Sequence, residues 1–307
     1  MSVVASYNQA AGRVEPYVSL DEVKFSATAS AIDFTNLIEN ATQAVQDRAL
    51  SEVIVRASSK ADVYTMGQYG TLNASVNTEN GRYRPNRYGQ IIVNPHFSPI
   101  IAVNSFSCGY GPGVGLQPVT LTADNTSIER NEFIVTYASS IGLTTGPLSI
   151  AGGNWAPNAQ LFVAYSYTNG WANSFTTATS AAGATSITVL DPTGIYPGMS
   201  LTIWDGMNDE YRQVDSSYVP GSNTIVFTTP LSFKHGKGVN VSALPAEVKQ
   251  AVIHFVVAMI KQRGQGGLVL NEIGEPTAVT SRVESSAEDE IQGYDLLDAY
   301  RAIWGRA

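Results

Sequence analysis

The side chains most ready to exchange a proton near neutral pH are His96, His235 and His254. A zinc centre needs a second His, a Cys or an Asp at a short fixed spacing, and none of the three has one. His96 and His235 read as turn or edge residues, and His254 as a hydrogen-bonded histidine inside a core helix. Cys108, the only cysteine, has no base close to it in sequence and no partner for an intrachain disulfide. Asp205-Gly-Met-Asn-Asp209-Glu210 gathers oxygens as a calcium loop does. It lacks the full ligand spacing and the closing Glu, so it reads as a turn between strands. Glu284–Glu290 could mimic paired catalytic carboxylates, but neighbouring acids of this kind form a solvated face. Gly109–Gly115 lacks the Lys-Ser/Thr of a phosphate loop, and Leu116–Thr122 after it reads as a strand instead of a helix. It is expected to be a loop tip. No Gly-x-Ser-x-Gly elbow occurs. The expectation is a protein that is not an enzyme and needs no cofactor or metal.

Residues suited to binding are easier to find. In the closing YDLLDAYRAIWGRA, Tyr294, Leu297, Tyr300, Ile303 and Trp304 recur at helical steps, and Leu296 widens the apolar face. Such a segment docks on its own domain or hooks onto another subunit. The loose Gln265-Gly266-Gly267 hinge and the aromatic anchors favour the second. Arg48, Glu52, Arg56 and Lys60 fall four apart and form a charged stripe, solvated or facing a partner.

Helices are expected to position both features. From Thr42 to Thr65, Val45, Ala49, Leu50, Val53, Ile54, Ala57, Ala61 and Tyr64 recur at threes and fours, the mark of one buried face. Ser19 and Glu22 form a capping-box pattern that starts a short earlier helix. Leu244–Arg263 is the central element. Pro245 suits a first turn, Glu247 and Lys261 match the helix dipole, and Ala251–Ile260 is apolar except at His254. A helix apolar on all sides is buried, and ten such residues fall short of the ~20 that span a bilayer.

Between the helices the period switches to two. Strand-like runs cover Thr71–Glu79, Arg82–Arg84, Gln90–Val93, Ile100–Phe106, Val119–Thr122, Phe133–Tyr137 and Leu161–Tyr167, with Asn80-Gly81 as a hairpin signal. A second set covers Thr185–Leu190, Ser200–Trp204, Glu210–Asp215, Thr224–Thr228 and Gly238–Val241. The expected class is α+β: a small helical bundle module with a large β-sandwich-like insertion and a C-terminal docking tail. The boundaries are an arm at 1–16, a helical module at 17–70 plus 243–264, a β-rich insertion at 71–242 and a hinge and tail at 265–307. The insertion divides further into 71–170 and 171–242.

Hydrophobic residues make up 44% and charged residues 14%, enough for real cores. The net charge of −8 argues against a grip on DNA phosphates, yet suits a passage through which DNA slides. No signal peptide or membrane span is visible, so no membrane partner is expected.

Three groups of segments carry a resemblance. The first is Tyr17-Val-Ser-Leu-Asp-Glu-Val-Lys24, Asp47-Arg-Ala-Leu-Ser-Glu-Val-Ile-Val-Arg-Ala-Ser-Ser59 and Asp62-Val-Tyr-Thr65. The second is Tyr167-Thr-Asn-Gly-Trp171, Ala182-Gly-Ala-Thr-Ser-Ile-Thr-Val189 and Gly194-Ile-Tyr-Pro-Gly198. The third is Leu231-Ser-Phe-Lys-His-Gly236, Ala243-Leu-Pro-Ala-Glu-Val-Lys-Gln-Ala251 and Leu296-Leu-Asp-Ala-Tyr-Arg301. In this order the chain resembles the head–tail connector (adaptor, or head-completion) proteins of long-tailed bacteriophages. The resemblance implies a virion protein of the neck, made in the host bacterial cytoplasm. It implies a ring of copies, commonly a dodecamer, beneath the portal protein and above a stopper or tail-terminator ring. Genomic DNA would pass through the ring without sequence-specific binding. Tyr294, Leu296, Leu297, Tyr300, Ile303 and Trp304 would dock on the portal, and the Arg48–Lys60 stripe would join subunits. Compact members are mainly helical, so the β insertion departs from the pattern. The rival reading is a carbohydrate-binding or host-adhesion β-module of a phage tail, motivated by the aromatics of Tyr165–Trp171 and Ile195–Tyr211.

Overall fold

The computed structural model describes residues 16–66, 71–86, 88–109, 116–129, 131–136, 160–263 and 278–301. The chain is mixed α+β with antiparallel sheets and folds as two compact units. One is Ala74–Gly170; the other combines Gly12–Asn73 with Trp171–Ala307. The two units part at 170/171. The later strands, however, group with the helices and not with the earlier strands.

In the first unit, β1 (Ser75–Tyr83), β7 (Leu161–Asn169), β3 (Ile100–Gly109) and β4 (Gln117–Pro118) form one sheet in that order. A second sheet holds β2 (Gln90–Val93), β6 (Phe133–Thr136) and β5 (Thr126–Ile128). Alternate residues of both sheets fill one core, including Ile91, Val93, Phe106, Phe133, Val163 and Tyr165. The expected Asn80-Gly81 hairpin is corrected. Asn80 and Gly81 lie mid-strand, paired with Ala164 and Val163. A Cβ on Gly81 would sit 2.8 Å from the Tyr83 ring, so the glycine makes room for an aromatic and does not turn the chain. The expected Val119–Thr122 strand is also corrected. Only Gln117–Pro118 pairs as β4, and Asn125 turns the chain by accepting from the Thr122 N–H at 2.8 Å. The 110–115 part of the glycine loop lies outside the described residues.

The second unit contains α1 (Leu20–Lys24), α2 (Gln43–Met66), α3 (Ala246–Arg263) and α4 (Ala278–Leu297). Ser19 and Glu22 close the capping box as expected. Leu50, Val53, Ile54, Ala57 and Ala61 of α2 meet Val248, Val252, Phe255 and Val256 of α3 in one helical core. Val45 is a correction: it belongs to the expected buried face but is 44% exposed, because the core does not extend to the first turn of α2. The other correction is α4. A polar stretch and short terminal segment were expected where a 20-residue helix runs.

The strands of this unit form a ring around their own core. One sheet runs β11 (Glu210–Gln213), β10 (Ser200–Trp204), β13 (Asn240–Ser242), β8 (Asn173–Phe175); the other pairs β12 (Thr224–Val226) with β9 (Ser186–Thr188). Bridges Val214↔Phe227 and Thr176↔Val189 join the two sheets at both ends, leaving every strand with two neighbours. Ile187, Leu201, Ile203, Val214, Ile225 and Val241 fill the interior.

Candidate functional site

The described part of the C-terminal segment lies on α4 and on the 3-10 turn Asp298–Tyr300. Leu297 is fully buried in the helical core. The Tyr294 ring sits 4.5 Å from Tyr64 and edge-on to Phe255 at 5.1 Å. Tyr300 meets Trp171 edge-on at 5.8 Å, and its hydroxyl lies 3.3 Å from Glu247. Leu296 packs on the same core. These four side chains are therefore committed to their own chain, which corrects the expectation of a segment leaving its fold. The cause is the match between the small Gly293 and the ring of Phe255. A Cβ at residue 293 would lie 2.5 Å from that ring, so only glycine lets α4 approach α3 this closely. Ile303 and Trp304 lie outside the described residues.

Charged contacts finish the docking of α4. Lys60 Nζ lies 2.5 Å from Glu290 Oε1 and also faces two aromatic rings, 5.0 Å from the Phe255 centroid and 5.2 Å from that of Tyr294. Lys261 pairs with Asp289 at 2.7 Å. Tyr64 donates to Asp298, and Asp298 in turn pushes the Tyr64 hydroxyl pKa up. Lys60, Gln262 and Tyr294 lower the Glu290 pKa against the opposing effect of burial, with Lys60 the largest cause. The acidic cluster expected to be a solvated face thus supplies counter-charges to α2 and α3.

Of the expected stripe, Arg48, Glu52 and Arg56 do face solvent. Arg48 and Glu52 form an exposed pair at 3.7 Å, an interaction of little energetic weight. Lys60 is the correction, since its charge points at α4. The face continues instead through two exposed valines, Val45 and Val63.

Buried polar groups form three clusters that local sequence spacing did not reveal. Lys249 on α3 is 3% exposed, donates to Glu22 at 2.6 Å and Asn240 at 2.7 Å, and lies 4.5 Å over the Trp204 ring. Burial lowers its pKa to about 8, with Glu22 opposing the shift. Asp62 on α2 accepts from the Tyr17 hydroxyl and from the Leu72 N–H at 2.8 Å. Burial raises its pKa to about 6 despite these bonds.

The third cluster corrects the reading of His235 as an edge residue. Its ring is fully buried, with Nδ1 2.8 Å from Asp205 and Nε2 2.5 Å from Glu210. Arg212 also pairs with Glu210, and the Ser232 N–H donates to it at 2.9 Å. Burial pushes the Glu210 pKa up, but His235, Ser232 and Arg212 together outweigh it and hold it low. Both imidazole nitrogens face carboxylates and the ring is closed off from solvent. The cluster clips the loop before β13 to the β10–β11 hairpin, and Asp205-Gly-Met-Asn is the turn expected there.

His254 lies at the edge of the helical core, with Nε2 3.3 Å from Gln250 and Nδ1 3.5 Å from Asp289. Among the described residues no group of three or more His, Cys, Asp or Glu is placed to hold a metal ion. No described helix is long and apolar enough to cross a membrane. The aromatics behind the glycan-binding reading are largely internal: Tyr165 is 2% exposed and Tyr167 fully buried. The Tyr165 and Tyr167 hydroxyls donate to Glu79, and burial followed by that carboxylate raises both pKa values. Tyr211, at 63% exposure, is the outward-facing member.

Compared with protein-family models and with curated proteins, the chain matches neither.

Proposed function

We propose that this chain is a structural virion protein, a ring-forming adaptor at the neck of a long-tailed bacteriophage. It joins the portal of the DNA-filled head to the stopper or tail-terminator ring, and its copies continue the DNA channel. In this reading it is not an enzyme, uses no cofactor and binds no DNA sequence. One observation carries the reading. Helical segments that bear the connector resemblance, at Tyr17–Lys24, Asp47–Ser59, Ala243–Ala251 and Leu296–Arg301, meet in a single core although nearly the whole chain separates the first from the last. The β unit at 74–170 and the β ring at 171–242 are then additions to a helical connector module, the former with a sandwich-like core. The buried side of α4 holds the module together, and in this reading Ile303 and Trp304 are the remaining portal-docking residues. The acidic balance suits a channel that releases DNA.

Native mass measurement of the full chain mixed with the portal protein of its virus tests the proposal. A closed ring of copies bound to the portal is the expected result. A chain that stays unbound at micromolar concentration, with its helices intact by circular dichroism, contradicts it.

A further inference from the structure

The outer faces of α2 and α4 carry complementary patterns. On α2, Arg48, Glu52 and Arg56 are exposed in that order, flanked by Val45 at 44% and Val63 at 58% exposure. On α4, Glu288, Gln292 and Asp295 are exposed, with Ile291 at 59% between the acids. The rise of a helix puts Arg48 and Arg56 about 12 Å apart and Glu288 and Asp295 about 10 Å apart. A cation–anion–cation row thus matches an anion–amide–anion row in spacing as well as sign. Glu52 falls opposite Gln292, whose amide donates to a carboxylate. Arg56, Glu288 and Asp295 have no ion-pair partner among the described residues. Within one molecule α2 already meets α4 through a lysine on a glutamate, and the turn after α4 through a tyrosine on an aspartate.

We infer that the outer face of α2 docks on the outer face of α4 of a second copy of this chain. The two faces differ, so the contact is head-to-tail: each copy offers one face forward and the other back. Repetition of such a contact gives a closed ring or an open filament, never an isolated twofold dimer. The exposed valines and Ile291 supply the apolar part of the contact, and the charge rows set its register and exclude the α2–α2 and α4–α4 alternatives. The inference rests on the ring-forming reading above and assigns that ring its surfaces.

Sedimentation velocity of the full chain tests it with charge reversals. R48E/R56E and E288R/D295R are each expected to weaken self-association by roughly tenfold or more, since each sets like charges face to face. Mixing the two variants should restore assembly with the copies alternating, because both junctions between unlike variants pair opposite charges while each variant repels itself. Combining all four substitutions in one chain should restore assembly. Because a surface reversal can also act indirectly, a second variant, Glu52→Cys with Gln292→Cys, should give a ladder of disulfide-linked copies under mild oxidation. Wild-type chain that stays monomeric both alone and on the portal overturns the inference, as does assembly unchanged by either reversal with no ladder. Portal-bound rings indifferent to the reversals sink this interface and leave the neck reading. Assembly through these faces without portal binding sinks the neck reading and leaves the interface.

Discussion

Two helices near the end of the chain are held by different forces. α3 is surrounded by apolar neighbours, and Val248, Ala251, Val252, Phe255, Val256 and Val257 are all inaccessible to solvent. Among its described residues α4 meets the core at Ser286, Gly293, Tyr294, Leu296 and Leu297, and Lys60–Glu290 and Lys261–Asp289 lie at its flanks. Burial scales with apolar area and ignores salt, whereas ion pairs that keep some contact with solvent are weaker and partly screened. α3 is therefore the fixed axis of the helical module. α4 is a strap whose outer side stays open to a neighbour.

Phe255→Ala should have the largest effect on that contrast. It removes a buried ring from α3 together with the contact that seats Tyr294, and a loss of about 3–5 kcal/mol is expected in denaturant unfolding. A loss under about 1 kcal/mol would mean that α3 is not the axis.

The single buried charge on α3 gives a pH signature. Lys249 is protonated in both states below about pH 8, while between about 8 and 10.5 only the unfolded chain keeps the proton. Unfolding then takes up a proton, so stability rises with pH across that window, by up to about 1.4 kcal/mol per unit. Wild type should gain on Lys249→Met over this range. A flat difference would show that Lys249 is hydrated and not enclosed.

Gly293→Ala tests the close approach of the strap. The added methyl collides with a ring that is itself fully buried, and about 1–3 kcal/mol should be lost. Hydrogen exchange should rise across α4 while α3 stays protected. Uniform loss of protection in both helices would erase the distinction.

The smallest effect concerns the flanking charges. Lys60→Met should cost about 1 kcal/mol at low salt, and the difference from wild type should shrink in molar salt as screening weakens the pair. An undiminished loss at high salt would assign the effect to packing on Phe255 and Tyr294.

The same contrast explains what could be read from sequence. α2, α3, Gln90–Val93 and Ser200–Trp204 stand out because burial on one face, or on all faces, imposes a period. α4 is hidden because the residues that seat it include a glycine and a serine, which carry no hydrophobic signal. The polar clusters are hidden for a topological reason. Lys249 meets a glutamate 227 residues away, and His235 meets carboxylates 25 and 30 residues away on another hairpin. No local spacing encodes such meetings. Asn80-Gly81 misled because its usual turn signal was outweighed by pairing along the whole of β1 and by the Tyr83 ring above it.

An image of the intact neck, by electron cryomicroscopy of purified particles, tests the adaptor account most directly. The account predicts a ring of this chain directly beneath the portal, with α2 of each copy against α4 of the next. Density for the chain at the tail tip, or its absence from the particle, would contradict it.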